Sequence, residues 1–289
     1  MKNKQTLSWI VVASMVIWGG SWPTGKIVAS YSSVFNITFL RYSIVIVSLI
    51  PLLFALKVNV KIQRKGLFPL FASASLLAIY SWLFLRGLQL GLAGAGGVLV
   101  TSLNPIFAYS IGLILNRVLP SLKEAIGLLL GVIAGLILLK VWDNGNAILM
   151  SGNVYFLLAS FVWATMSKIT SKSAQYGHSL GFTFWMYVLT AMLLFVGVNR
   201  PQFVELIQTA DTRFWLNMAY TSVISTSIAT TFYFLATVSL GAEKASSFIF
   251  LVPLSAALSS WFLLGETIQT NTIAGGVLGI MAVYMLNKK

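Results

Sequence analysis

Residues 127–134 read GLLLGVIA, and residues 275–282 read GGVLGIMA. The two stretches share a pair of glycines four residues apart, the leucine before the second glycine and the final alanine. Moving outward along the chain, the same displacement of 148 residues places Leu103-Asn104-Pro105 on Leu251-Val252-Pro253 without a gap. Ordered matches at a fixed displacement are the signature of an internal repeat. The sequence therefore predicts two copies of one unit.

The repeat extends back to the beginning of each copy. There the displacement falls to 145 residues, which pairs Trp18 with Trp163. We therefore divide the chain into a first repeat, residues 1–145, and a second repeat, residues 146–289.

Small residues recur every fourth position near the end of each repeat. Gly127, Gly131 and Gly135 form one ladder, and Gly275 and Gly279 form the other. Such ladders allow the backbones of membrane helices to approach closely. Two interpretations are open, because the close contact can lie within a monomer or between the two chains of a homodimer.

The composition places the chain in a membrane. Hydrophobic residues make up 58% of the 289 residues, charged residues make up 9%, and the mean hydropathy is +0.88. Soluble domains carry about 25% charged residues. The composition therefore predicts an integral membrane protein whose surface contacts the lipid bilayer. Because the chain has no cysteine, disulfide frameworks, thiolate catalysis and cysteine-ligated metal sites are excluded.

Apolar segments long enough to cross a bilayer occur ten times. A span needs roughly 20 apolar residues. The predicted spans are Leu7–Ile27, Val34–Leu56, Leu67–Leu88, Gly94–Ile114, Lys123–Val141, Ser151–Ser171, Leu180–Val198, Arg213–Leu235, Glu243–Leu264 and Thr270–Leu286. The predicted fold class is therefore an all-α integral membrane protein with five spans in each repeat.

The basic residues indicate the orientation of these spans. With the N-terminus inside, 13 of the 19 Lys and Arg fall on the inner side, five fall on the outer side, and Arg41 lies within a span. Lys and Arg concentrate in cytoplasmic loops. We therefore predict a multi-pass protein of the cell (inner or plasma) membrane with both termini in the cytoplasm. The net charge of +13 then reflects topology, and we predict no nucleic-acid partner.

An odd number of spans per repeat has a geometric consequence. After five crossings the second repeat enters from the opposite face, so the two repeats are inverted relative to each other. Inverted repeats are a recurrent transporter architecture, with the substrate site near the midplane where the repeats meet. The sequence thus predicts transport of a small-molecule substrate by alternating access through a central cavity.

Matched residues lie near the midplane in both repeats. Trp18, Pro105, Trp163 and Pro253 each fall about ten to twelve residues into their spans, roughly half the length of a crossing helix. A proline removes one backbone hydrogen bond and loosens its helix, and Asn104 can supply a partner for a freed carbonyl. Pro105 and Pro253 are therefore either packing kinks or hinges beside a cavity, and both interpretations are open.

Aromatic and hydroxyl side chains surround this depth. We predict that Trp18, Trp22, Tyr80, Trp163 and Trp185 contribute to a substrate site, because aromatic rings bind amphipathic or cationic molecules. The alternative is that these rings contact lipid or neighbouring helices. The eighth span is rich in hydroxyls, and we place Thr230 in the pathway. The alternative is that these hydroxyls bond only within or between helices.

Arg41 is the basic residue placed inside a span. An unpaired arginine in lipid costs several kcal/mol, so it either reaches the outer surface, pairs structurally or faces a cavity. In a cavity its guanidinium would hold a substrate carboxylate, which favours amino acids or other organic anions.

All six acidic residues are predicted at span ends or in loops, and His178 is predicted in a loop. A proton relay through the membrane needs an ionisable group at depth, so proton coupling is not supported, whereas facilitated diffusion and exchange both remain open. An intramembrane enzyme needs a nucleophile with a His or carboxylate partner at depth. We therefore predict no enzyme activity and no metal site; a scaffold or receptor without transport is the other alternative.

The order of these elements resembles the EamA-type permeases of the drug/metabolite transporter superfamily. The resemblance rests on Trp18-Gly19-Gly20-Ser21 with Lys26, on the fourth-span run that ends at Pro105, and on the run from Ser246 to Pro253 followed by Leu264-Gly265-Glu266. It covers nearly the whole chain. Two departures are visible: Arg117-Val118 stands where the second repeat has Gly265-Glu266, and Trp163-Ala164 lacks the glycine of Trp18-Gly19.

The resemblance implies a ten-helix inner-membrane carrier that moves small metabolites and often exports amino acids or toxic compounds. It also implies a central cavity between the repeats and no bound cofactor. The substrate and the oligomeric state, monomer or homodimer, are not implied.

Overall fold

The structure is a computed structural model that describes residues 4–117, 119–143, 151–233 and 251–287. Within these ranges the chain forms helices and no strands. The helices are α1 (Lys4–Ala29), α2 (Val34–Ala55), α3 (Leu67–Leu90), α4 (Ala93–Asn116), α5 (Leu122–Leu139), α6 (Asn153–Thr170), α7 (Ser179–Phe195), α8 (Arg200–Thr209), α9 (Thr212–Ala219), α10 (Leu251–Leu264) and α11 (Thr270–Asn287). Helix α9 continues directly into a π-helical segment, Tyr220–Ala229.

The all-helical membrane class is confirmed. Among the described residues, α2, α3, α4, α5 and α6 are long and apolar enough to cross a membrane, and α7 with α8 counts as a sixth candidate. The apolar helices α10 and α11 are shorter. The predicted count of ten is confirmed only in part. Helix α1 and the described part of the eighth span are not among these candidates. Residues 234–250, which contain the end of the eighth span and the start of the ninth, lie outside the described residues.

Helix α8 was not predicted. It is bent by 114° from α7, and it begins with Asn199 accepting a hydrogen bond from the Gln202 N–H and with Pro201 in its first turn. Both features favour a helix start. The sequence analysis missed α8 because its ten residues are too few and too polar for a hydropathy window of about 20 residues.

The packing of the helices follows the symmetry expected of two inverted repeats. Helices α2, α4 and α5 each pack on their own counterparts, which are α7, α10 and α11. Helix α1 packs on α10, and its counterpart α6 packs on α4. Likewise α3 packs on α6, and the π-helical segment packs on α1. Each of these contacts is thus matched by the contact obtained when the repeats are exchanged.

Glycines allow several of these contacts. A Cβ added at Gly131 would lie 2.5 Å from the Ile106 side chain, and one at Gly275 would lie 2.5 Å from Leu138. These two ladder glycines therefore bring α5 against α4 and α11 against α5 within one chain. At these two positions the ladder glycines pack within the monomer, which is one of the two interpretations left open by the sequence. The oligomeric state stays a prediction.

Replacing Gly19 with alanine is expected to destabilise the contact between α1 and α10. A Cβ there would lie 2.1 Å from Ser255 Oγ and 2.7 Å from the Ala256 backbone nitrogen, so a helix has to move. Overpacking of this kind costs about 1–3 kcal/mol. Gly112→Ala is the matched control, because its Cβ would meet only Lys168 Nζ at 3.9 Å. Thermal denaturation in detergent should show a lower midpoint for Gly19→Ala alone; equal midpoints would contradict the close contact.

Candidate functional site

The π-helical segment Tyr220–Ala229 shapes one wall of the candidate site. Two hydroxyls of the segment and one directly after it donate to carbonyls five residues earlier: Thr226 to Thr221 at 2.8 Å, Ser227 to Ser222 at 3.2 Å, and Thr230 to Ser225 at 3.3 Å. Ser and Thr hydroxyls compete with backbone N–H groups for carbonyls, which loosens a helix. A π-helix has about one residue more per turn than an α-helix, and such segments occur frequently at functional sites.

Two residues from other helices hydrogen-bond to successive residues of this segment. Trp18 of α1 donates from Nε1 to the Ser225 carbonyl oxygen at 3.3 Å, and Arg41 of α2 donates from Nη2 to Thr226 Oγ1 at 3.0 Å. Both side chains are half-buried. The repeats therefore meet here through polar groups of the first repeat and a hydroxyl-rich wall from the second.

The Arg41 guanidinium is incompletely paired. Besides its bond to Thr226, it lies over the ring of Phe84, with Cζ 5.9 Å from the ring centroid. Its Nε is buried and has no hydrogen-bond partner among the described residues. Guanidinium groups bind carboxylates through two parallel hydrogen bonds. The buried Nε–H of Arg41 is therefore a donor that an anionic group could use.

Aromatic rings continue from Arg41 across the interface between the repeats. In this aromatic row, Trp22 contacts Phe84 with centroids 4.9 Å apart, Phe84 stacks on Tyr80 at 5.8 Å, and Tyr80 contacts Trp163 at 4.7 Å. The row joins α1 and α3 of the first repeat to α6 of the second. Tyr80 and Trp163 are half-buried, whereas Trp22 and Phe84 are buried in the core.

A second aromatic pair flanks the same arginine on α2. Tyr42 stacks on Tyr187 of α7 with centroids 5.5 Å apart, and the Tyr42 hydroxyl lies 2.7 Å from Ser81 Oγ. Both tyrosines are buried. The sequence analysis did not place this pair in the site, since two residues 145 positions apart carry no local signal of contact.

The structure brings together most of the predicted site residues. Trp18 and Arg41 hydrogen-bond to the π-helical segment, and Thr230 directly follows it. Tyr80 and Trp163 belong to the aromatic row. Thr230 was the hydroxyl predicted from this helix, whereas Thr226, which was not predicted, accepts a hydrogen bond from Arg41.

The three other predicted residues make packing or backbone contacts in the structure. Trp22 is buried between Phe84 and Phe156, where it packs rather than facing open space. Trp185 is exposed and donates to the Val60 carbonyl oxygen at 2.9 Å, in the connection between α2 and α3. Asn104 donates to the Ser160 carbonyl oxygen at 3.2 Å, which joins α4 to α6.

The two predicted hinge prolines lie on contacting helices of the two repeats. Pro105 is half-buried within α4, which stays helical on both sides of it, and Pro253 is buried near the described start of α10. Helices α4 and α10 pack together. A hinge role at these positions stays a prediction.

An ion-paired clamp joins the repeats at the predicted outer end of the bundle. Glu266 accepts hydrogen bonds from Lys26 Nζ at 2.8 Å and from the Ala93 and Gly94 N–H groups at 3.0 and 2.9 Å. Lys26 also donates to the Gly91 carbonyl oxygen at 2.7 Å. A carboxylate at the start of α4 satisfies N–H groups that no helical carbonyl can reach, and it matches the helix dipole.

A glycine makes this clamp possible. Gly265 follows α10 with φ of +65°, in the left-handed region that ends helices and favours glycine. The turn directs the Glu266 carboxylate back toward α4, and only 8% of that side chain is exposed. The pairing of Lys26 with Glu266 was not predicted, although both residues were singled out.

A cavity of about 360 Å³ opens beside the clamp. It is lined by Lys26, Ile27, Ser30, Tyr31, Arg213 and Leu264. Near it, hydrogen bonds from the Phe214 N–H and from the Tyr31 hydroxyl lower the pKa of Asp211, and the same bond to Asp211 raises the pKa of Tyr31. The cavity therefore combines cationic and hydroxyl groups at the end of the interface between the repeats.

The described residues contain no cluster of His, Asp and Glu side chains that could hold a metal ion.

Comparison with known proteins agrees with this architecture. Residues 6–140 and residues 150–288 each match the model of a family described as the EamA-like transporter family. A WAT1-related chloroplastic protein of Arabidopsis thaliana is 29% identical over 210 residues, which are 70% of this chain and 50% of the relative, so the chain spans about half of that protein's length.

Two further similarities bear on function and fold. A probable amino-acid metabolite efflux pump of Salmonella typhimurium is 24% identical over 209 residues, covering 69% of this chain and 68% of the relative. One solved crystal structure superposes with a TM-score of 0.62 over 98% of both chains at 14% identity. At that identity the superposition shows the shared fold alone.

Proposed function

Because the chain belongs to the EamA-like transporter family, we propose that it exports small organic metabolites by alternating access through a site centred on Arg41. The chain is a multi-pass membrane protein, and the proposal assigns it transport rather than catalysis. Its membrane is the cell (inner or plasma) membrane, with both termini in the cytoplasm, as the distribution of Lys and Arg favours.

The observation that carries the proposal is the incompletely paired guanidinium between the repeats. Arg41 has a buried Nε without a partner among the described residues, and it lies where α2 contacts the π-helical segment of the second repeat. An ionisable residue inside a membrane bundle is by default a functional-site residue, because its desolvation costs free energy. A site between inverted repeats is where a solute can be reached from each side in turn.

The other proposed site residues follow from their contacts. Trp18 and Thr226 share the π-helical segment with Arg41, and Thr230 lies one turn further along. Tyr80 and Trp163 present half-buried rings from opposite repeats.

We assign Trp22 to supporting Phe84, Asn104 to the contact between α4 and α6, and Trp185 to anchoring the connection between α2 and α3. Pro105 and Pro253 are the proposed hinges.

The clamp and its cavity supply the outer end of the proposed pathway. Glu266 of the second repeat holds Lys26 and the start of α4, both of the first repeat, and these contacts support the clamp as the outer gate of the proposed pathway. In the proposed cycle these contacts break when the outer ends separate. All these residues come from one chain, so a monomer is sufficient for the proposal.

Trp18→Ala is expected to reduce transport at least tenfold without preventing membrane insertion. The change removes the indole that bonds the Ser225 carbonyl oxygen and contacts Tyr233 at 5.1 Å. Trp9→Ala is the matched control, because Trp9 lies on the same helix but is 67% exposed. Purified protein would be reconstituted in vesicles loaded with a metabolite extract, and mass spectrometry would measure the released solutes.

The same assay tests the proposal as a whole. Native protein should release a defined subset of the extract faster than protein-free vesicles do, and Trp9→Ala should retain that release. No release by well-folded native protein would overturn transport and favour a scaffold or receptor. Equal release by Trp18→Ala and native protein would remove Trp18 from the site.

A further inference from the structure

The charge of Arg41 has no counter-charge near the centre of the described structure. The described acidic residues are Glu124, Asp143, Glu205, Asp211 and Glu266, and all of them lie in a first helical turn, on α8 or in connections between helices. The one ion pair among the described residues is Lys26–Glu266 at the outer end. The guanidinium is instead satisfied in part by the neutral Thr226 hydroxyl and the Phe84 ring.

The surroundings of Arg41 also restrict the shape of a ligand. The half-buried rings in this region are those of Tyr80 and Trp163 in the aromatic row and the indole of Trp18, which donates from α1 to the π-helical segment. Rings of this kind bind flat apolar groups by stacking and edge contacts. They offer no carboxylate to an ammonium group, and a second cation would be repelled by Arg41 where the dielectric constant is low.

We infer that the transported solutes are organic monoanions, in which a carboxylate is attached to a flat apolar body without an ammonium group. The carboxylate binds Arg41 through Nε and a terminal nitrogen, and the apolar body lies against the rings of the aromatic row. This inference rests on the proposed function and deepens it by naming the substrate class. It separates simple carboxylates from zwitterionic amino acids and from cationic amines.

Three probes that share a phenethyl group test the charge preference. They are 3-phenylpropionate, phenylalanine and phenethylamine, which share a benzene ring and a two-carbon linker and differ in carrying an anion, a zwitterion or a cation. Binding would be measured by thermal shift, because a ligand of the folded state raises its apparent stability. Uptake would be measured by counterflow in vesicles. We expect 3-phenylpropionate to bind at least tenfold more tightly than phenylalanine, and phenethylamine to bind most weakly.

A pair of arginine variants assigns this preference to one residue. Arg41→Gln should abolish the preference for 3-phenylpropionate. Arg200→Gln should retain it, since Arg200 also lies over a phenylalanine ring, at 5.9 Å from the Phe195 centroid, but is exposed at the start of α8. A preference that survives Arg41→Gln would overturn the assignment.

The outcomes separate this inference from the proposed function. Stronger binding of phenylalanine or phenethylamine would overturn the substrate class while leaving transport intact. Release of metabolites from extract-loaded vesicles without binding of any of the three probes would also overturn the class. Absence of release of every solute would overturn the proposed function itself.

Discussion

Oxidation of a double variant, Gly94→Cys with Ser260→Cys, is expected to stop transport, and reduction is expected to restore it. Gly94 lies in the first turn of α4, and Ser260 lies on α10 of the other repeat. A Cβ at Gly94 would lie 3.2 Å from Ser260 Cβ, close to the 3.5–4.5 Å that disulfides require. Because the natural chain has no cysteine, the added pair is the only one that can form a disulfide.

The expected loss follows from the position of the bond. The Gly94 N–H donates to Glu266, so the disulfide would fix the repeats together beside the clamp that has to open. Vesicle flux before and after a mild oxidant, and again after a reductant, measures the effect. Each single cysteine variant, treated in the same way, is the control. Full flux in the oxidised double variant would show that the outer ends of α4 and α10 do not separate during transport.

Most helix positions could be predicted from hydropathy, because crossing a bilayer requires a long apolar segment. The second predicted span, Val34–Leu56, and the observed helix Val34–Ala55 differ by one residue. The turns repeat as well: Arg117 and Gly265, 148 residues apart, have φ of +53° and +65°. Shared backbone turns at matched positions are what a duplication predicts, even where the residues differ.

The clamp could not be predicted from that duplication. Glu266 pairs with Lys26, 240 residues away, and such a pairing leaves no periodic pattern in the sequence. The departure noted at Arg117-Val118 does have a structural meaning, since the turn is repeated but the acid that follows it occurs only in the second repeat. The clamp is therefore specific to one end of the molecule.

Trp18 and Arg41 were predicted as site residues from their expected depth in the spans, and both contact the π-helical segment. That expectation did not identify the hydroxyl that accepts a hydrogen bond from Arg41. The eighth span contains many hydroxyls, and a regular period of 3.6 residues decides which of them share a face. The π-helical segment adds a residue to each turn and rotates the later positions. In this segment Thr226 is the hydroxyl that accepts a hydrogen bond from the guanidinium.

Arg41→Gln is expected to raise thermal stability and abolish transport in the same protein. The change removes a charge that has no counter-charge among the described residues, and inserting such a charge at the centre of a membrane helix costs about 2.5–3.5 kcal/mol. Glutamine is neutral and can still hydrogen-bond to Thr226. Function is lost because an amide does not offer a carboxylate the paired, charged donors of a guanidinium. Thermal denaturation in detergent and vesicle flux are the two measurements.

Opposite signs in these measurements distinguish a binding role from a structural one. If Arg41 mainly held α2 against the π-helical segment, its replacement would lower the denaturation midpoint, and flux would fall because the protein unfolds. Arg200→Gln should change neither quantity, because its guanidinium is solvated. Binding sites trade stability for function when they keep a charge ready for a ligand. A raised midpoint with lost flux therefore identifies Arg41 as a ligand-binding cation, and a lowered midpoint would identify it as a structural link between the repeats.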